Sequence, residues 1–127
     1  MYLSDLIAQV AKSSTKEVKK VWGKEIWLVN EPEYCCKLLL LDRGAQSSYH
    51  YHRVKKETFL VLQGEVALTI GKKEQFLSPE LGSRVINPGV LHSFFGSTEA
   101  VMLEVSTHHG DKDVVRETES RRGYASK

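Results

Sequence analysis

From Glu25 onward the chain alternates short apolar runs with turn residues. The runs are Glu25–Val29, Tyr34–Leu41, Ser47–His52, Thr58–Leu62, Glu65–Ile70, Arg84–Ile86, His92–Phe95 and Val101–Val105, mostly rich in aliphatic, β-branched or aromatic side chains. That is the pattern of strands. Turn signals separate them: Asn30-Glu31-Pro32, Asp42-Arg43-Gly44, Gln63-Gly64, Gly71-Lys72, Ser78-Pro79, Asn87-Pro88-Gly89 and Gly96-Ser97. About eight strands at such spacing predict an all-β domain, a sandwich or a barrel, in which closing or pairing the sheets limits exposed edges. Ahead of them, Ser4 is placed to cap a short N-terminal helix whose Leu6, Ile7 and Val10 share one face. The expected place of that helix is the outside of the domain.

A chain of 127 residues suits one compact core. The expected division is an N-terminal helix and basic lead-in over residues 1–24, then a single domain over 25–127. Lys12, Lys16, Lys19, Lys20 and Lys24 face only Asp5 and Glu17 in the first segment, so the mild basic excess sits there. A formal charge of +2 is too balanced to argue for a nucleic-acid or membrane partner. Leu38–Leu41 and the other apolar runs fall well short of a bilayer span, and Ser4, Asp5 and Gln9 interrupt any signal-peptide core. Cys35 and Cys36 are adjacent, so on a strand they point to opposite faces and a disulfide between them is strained. The expectation is a reduced, cytoplasmic chain.

The chemistry concentrates between Gly44 and Gly64. On a strand, His50 and His52 project from the same face. Glu57 follows after a stretch long enough for a tight turn, so its carboxylate can aim back at the pair. His92 opens a later strand, directly after Asn87-Pro88-Gly89-Val90-Leu91. Three imidazoles and a carboxylate converging inside a closed sheet make a site for a divalent metal such as Zn, Mn, Fe or Ni, with room left for water or substrate.

Gly44, His50, His52, Glu57 and Gly64 meet every position of the pattern G-x5-H-x-H-x3–4-E-x6-G, and Gly82, Gly89 and His92 match a second pattern, G-x5-P-x-G-x2-H-x3-N. Asn87 stands where that pattern has proline, Gly96 where it has asparagine, and the spacer after Gly82 is one residue short. The chain thereby resembles the cupins. The resemblance implies a jelly-roll barrel, or double-stranded β-helix, with His50, His52, Glu57 and His92 as the metal ligands. Val21-Trp22-Gly23-Lys24-Glu25-Ile26-Trp27, Tyr34-Cys35-Cys36-Lys37 and the ending Asp113-Val114-Val115-Arg116 further resemble the cupin domain of type II mannose-6-phosphate isomerases. The nucleotidyltransferase domain often fused ahead of that cupin does not fit within this length, so sugar-nucleotide synthesis is not implied.

What the isomerase resemblance implies is interconversion of an aldose and a ketose, with a sugar or sugar phosphate as partner. The metal acts as a Lewis acid on the carbonyl, and a base moves a proton between C1 and C2. Glu104 is the candidate base, because an acid among the apolar residues of Val101–Val105 demands an explanation; release of Glu57 from the metal is the alternative. Arg116 is the candidate phosphate contact. Arg53, Lys55, Lys56 and Arg84 read as solvated surface charge, His108 and His109 as a surface pair, and Tyr49, Tyr51, Trp22 and Trp27 as packing residues. A homodimer is expected through a sheet face or edge. Two other readings keep the same fold: a non-haem metal dioxygenase, and a non-enzymatic sugar- or small-molecule-binding cupin.

Overall fold

The computed structural model describes residues 2–123. One helix, α1 (Leu3–Lys12), precedes eleven strands. β1 (Lys16–Lys20), β2 (Gly23–Asn30), β3 (Cys35–Leu41), β10 (Ala100–Ser106), β5 (Glu57–Gln63) and β8 (Arg84–Ile86) lie side by side in one antiparallel sheet. β11 (Val115–Arg116), β4 (His50–Tyr51), β9 (His92–Gly96), β6 (Val66–Ile70) and β7 (Lys73–Leu77) form the other. The two sheets enclose one core, the jelly-roll arrangement expected. Among the described residues no helix is long and apolar enough to cross a membrane.

Strand alternation sorts the side chains into two environments. Leu39, Leu41, Phe59, Val61, Met102 and Ala100 point between the sheets and pack with Trp22, Leu68, Leu77, Ile86 and Phe94. On the other face of the larger sheet, Ile26, Leu38 and Val101 form a second cluster, covered by Ile7, Val10 and Ala11 of α1. The helix therefore packs on the outside. Its start differs from expectation: Tyr2 occupies the N-cap without a side-chain hydrogen bond, Ser4 lies inside the first turn, and Leu6 is largely exposed. Packing of the Ile7/Val10 face, rather than a cap, holds this short helix.

The interior rows of the larger sheet change character along their length. Past the apolar residues, the same inward positions carry Glu25 and Trp27 on β2, Cys35 and Lys37 on β3, Glu57 on β5, and Glu104 and Ser106 on β10. One end of the barrel is thus filled with hydrocarbon and the other is a buried polar chamber.

Three strands have no counterpart in the hydrophobic pattern: β1, β7 and the two-residue β11. β1 (KEVKK) and β7 (KEQFL) are highly charged edge strands, held by pairing with β2 and β6 rather than by two buried faces. The expected strand Ser47–His52 shrinks to His50–Tyr51; ahead of it, Ser47 N donates to Phe94 O and Gln46 forms isolated bridges with Phe95 and Arg121. Gly64 closes the β5–β6 turn at φ +85°, and a Cβ there would sit 2.3 Å from the Glu99 carbonyl oxygen. Only glycine suits that turn.

Candidate metal centre

Both sheets contribute to the site. β4 and β9 are paired with His50 directly opposite His92, which puts two imidazoles side by side. His52 lies just beyond β4, and Glu57 is the first residue of β5 in the facing sheet. The imidazole centroids are 4.5 to 5.6 Å apart, and the three histidines each bring a ring nitrogen within 4.8 Å of the others. Glu57 Oε2 lies 2.8 Å from His92 Nε2 and 3.3 Å from His52 Nε2. The loop before β9 is held by Gly89, whose N–H donates to the His52 carbonyl at 2.7 Å from a backbone at φ +82°. That is one role for the Pro88-Gly89 turn.

Each histidine is oriented by a backbone carbonyl. His50 Nδ1 lies 2.8 Å from Ser48 O, His52 Nδ1 2.6 Å from Asp113 O, and His92 Nδ1 2.9 Å from Val90 O. A carbonyl only accepts, so each Nδ1 carries a hydrogen and each ring turns Nε2 toward the others. Burial, reinforced by neighbouring His92, pulls His50 down to about 3, so this ring is neutral at ordinary pH. Burial raises the Glu57 carboxyl, but contacts with His52 and His92 and the nearby Lys55 charge outweigh it and hold the group well below the usual range.

The donor set fits a divalent cation. Glu57 Oε2 and His92 Nε2 are buried and make no hydrogen bond, although they face each other at 2.8 Å. Two lone pairs so close repel unless a positive charge lies between them. A cation bound by imidazole nitrogens and a carboxylate oxygen satisfies both atoms, and such N/O sets suit Zn, Mn, Fe or Ni.

A cavity of about 370 Å³ opens beside these residues, lined by His50, His52, Lys55, Glu57, Glu104 and His109 among others. Glu104 faces this interior and is 3% exposed. Lys55 is also buried, contrary to its reading as surface charge. Its ammonium lies 3.1 Å from Glu104 Oε2, 3.4 Å from Glu57 Oε1 and 3.1 Å from His109 Nδ1. Burial lowers its pKa, but the two carboxylates more than reverse that and raise it above the ordinary lysine value. His109 is corrected likewise. It accepts from Lys55 through Nδ1, stacks edge-on to Trp27, and faces Asp111 through Nε2 at 3.3 Å, while His108 stays exposed. Burial and the charges of Lys55 and Lys37 push the His109 ring down to about 4.

Behind this layer Lys37 is fully buried, 3.6 Å from Glu25 Oε1 and 4.0 Å from the centre of the Trp27 ring. Burial lowers its pKa. Arg116, paired with His50 across β11 and β4, lines the cavity at its exposed end together with Lys19 and Lys20. The charged spacing of β1 does not reveal that its lysines reach this opening. Tyr49 donates its hydroxyl to the Gly71 carbonyl and takes no part in the site.

Residues 37–106, more than half of the chain, match the family described as the cupin domain. The chain belongs to that family. This cupin is 26% identical over 114 residues to the mannose-1-phosphate guanylyltransferase RfbM of Salmonella typhimurium, a match covering 87% of the chain but 23% of the relative. It thus spans about a quarter of that protein's length. Among solved structures it is similar to an RmlC-like cupin from Shewanella frigidimarina (TM-score 0.70, 20% identity, 79% of this chain and 88% of that one). KdgF from Halomonas sp. is a further neighbour (TM-score 0.64, 19% identity, 69% of this chain and 80% of that one). At such identities these neighbours speak for the fold alone.

Proposed function

We propose that this cupin is a metal-dependent isomerase that interconverts the aldose and ketose forms of a sugar or sugar phosphate. The observation that carries this reading is the placing of a buried carboxylate, Glu104, in the same cavity as His50, His52 and Glu57. Moving a proton between adjacent carbons needs an acid-base group beside the metal ligands, and Glu104 stands in that position. The similarity to a mannose-1-phosphate guanylyltransferase supports a sugar-phosphate substrate class.

His50, His52, Glu57 and His92 would hold the cation, which when bound supplies Lewis acidity toward the sugar carbonyl and its neighbouring hydroxyl. Glu104 takes the proton from C2 of the aldose and returns it to C1, while the hydroxyl proton on O2 passes to O1. Lys55 fixes Glu104 for this task through a hydrogen bond of 3.1 Å. Arg116, Lys19 and Lys20 at the open end receive the phosphate, with the arginine suited to a bidentate grip. The cavity, about 370 Å³, falls within the range of small-molecule sites.

The test is a panel of free and phosphorylated pentoses and hexoses, incubated with metal-loaded protein in D₂O and followed by NMR. Deuterium should enter at C2 of one sugar class, and Glu104→Gln should keep the metal while slowing exchange by about 100-fold or more. Oxygen consumption without exchange would instead identify a dioxygenase. Saturable binding with neither would identify a binding protein. Near wild-type exchange in Glu104→Gln would remove Glu104 as the base.

A further inference from the structure

The segment that follows the barrel runs antiparallel along the stretch from Gln46 to His52, which carries two of the histidines. Arg121 and Gln46 exchange backbone hydrogen bonds, Ser120 Oγ accepts from Ser48 N, and Glu117 N donates to Tyr49 O. Arg116 and Val115 then pair with His50 and Tyr51. At the far end of this strap stands Asp113. Its carboxylate accepts from three successive amides: Arg53 N at 2.8 Å, Val54 N at 3.1 Å and Lys55 N at 2.9 Å. Its own carbonyl accepts from His52 Nδ1 at 2.6 Å. Thr107 adds two bonds to Lys56, through Oγ1 at 3.1 Å and through its N–H to Lys56 O at 3.0 Å.

Residues 53–56 are the connection between His52 and Glu57. Every backbone N–H of that connection is therefore held from side chains that follow β10, three of them by Asp113 and the fourth by Thr107. We infer that Asp113 is a positioning residue for the metal centre: its carboxylate fixes the loop joining His52 to Glu57, and its carbonyl selects the His52 tautomer that presents Nε2. The inference rests on the metal reading above and goes beyond it, because it assigns control of the site to a residue that does not touch the cation.

The physical argument is one of preorganisation. A four-residue connection without anchors samples many backbone states, and each must be given up when ligands at both its ends converge on one cation. The Asp113 bonds remove that freedom before binding. A partner that orients a ligating histidine through its second nitrogen typically changes metal affinity by about 10- to 100-fold. Asp113 acts on one ligand in this way and on the loop leading to a second.

The experiment uses the full chain stripped of metal. Zn²⁺ affinity is measured by competition with a chromophoric chelator for wild type, Asp113→Ala and Asp113→Asn, and the histidine tautomers of the metal-free proteins are read from imidazole ¹⁵N shifts. Asp113→Ala keeps the backbone carbonyl but removes the carboxylate bonds that hold it against His52, so it should weaken Zn²⁺ binding by about 10- to 100-fold and let His52 sample both tautomers, while His50 and His92 keep theirs. Asp113→Asn, which retains an acceptor oxygen, should fall between, and it carries the test if the alanine variant does not fold. An affinity within about twofold of wild type, or an unchanged His52 tautomer in Asp113→Ala, overturns the inference. Wild-type protein that fails to bind Zn²⁺ overturns the metal reading instead, and the tautomer measurement still decides the link from Asp113 to His52.

Discussion

Replacing Lys55 with methionine tests the polar chamber at its most sensitive point. The substitution keeps most of the side-chain volume and removes one charge. In the folded chain that charge lies 3.1 Å from Glu104 Oε2 and 3.4 Å from Glu57 Oε1, and all three side chains are at most 4% exposed. Two carboxylates would then share a buried space without their cation. Removing one partner of a buried ion pair costs about 3–5 kcal/mol, most of it from the charge left behind. For a domain of this size that corresponds to a melting temperature lower by roughly 10–20 °C. The assay is urea unfolding of the metal-free protein at pH 7, with Glu104→Gln and the double variant completing a cycle. The double variant should be more stable than the sum of the two single losses implies. Since the folded-state pKa of Lys55 is raised, its contribution is complete below the ordinary lysine pKa of about 10.4 and disappears as pH climbs through the folded value. A loss below about 1 kcal/mol, the scale of a solvent-exposed pair, would refute the buried-network account.

His92→Ala should abolish stoichiometric metal binding while the domain still folds, because the ring lies beside the orphaned Glu57 oxygen at the end of the apolar core; elemental analysis of the purified protein decides it. His109 predicts an acid limb. Its ring is pushed from 6.5 down to about 4, so between those values the unfolded chain binds the extra proton, and stability is present above pH 6.5 and lost as pH falls toward 4. His109→Gln should flatten that limb by about 2 kcal/mol in pH-dependent unfolding of the metal-free protein; an unchanged slope would assign the limb to other groups.

Some of this was legible in the chain because it is local. The His50/His52 spacing, the glycines at turns and the apolar runs of β3, β5 and β10 each depend on residues within a few positions of one another. So does the outward helix, once Ile7 and Val10 are seen to share a face. The N-cap and the two charged edge strands were not legible, since neighbouring strands and core contacts override weak local preference there.

What the sequence by itself determined is the all-β class and the ligand types that can meet on one cation. The tertiary structure alone decided which charges are buried. Lys55 and His109 look like surface residues in a polar stretch, yet contacts 49 and 54 residues apart in sequence bring Lys55 onto Glu104 and His109. Asp113 likewise reaches His52 from 61 positions away. Periodicity reports which side of its own strand a residue occupies. Whether a charge finds a partner inside the barrel depends on how the two sheets and the strap after them close around it, and no local pattern encodes that.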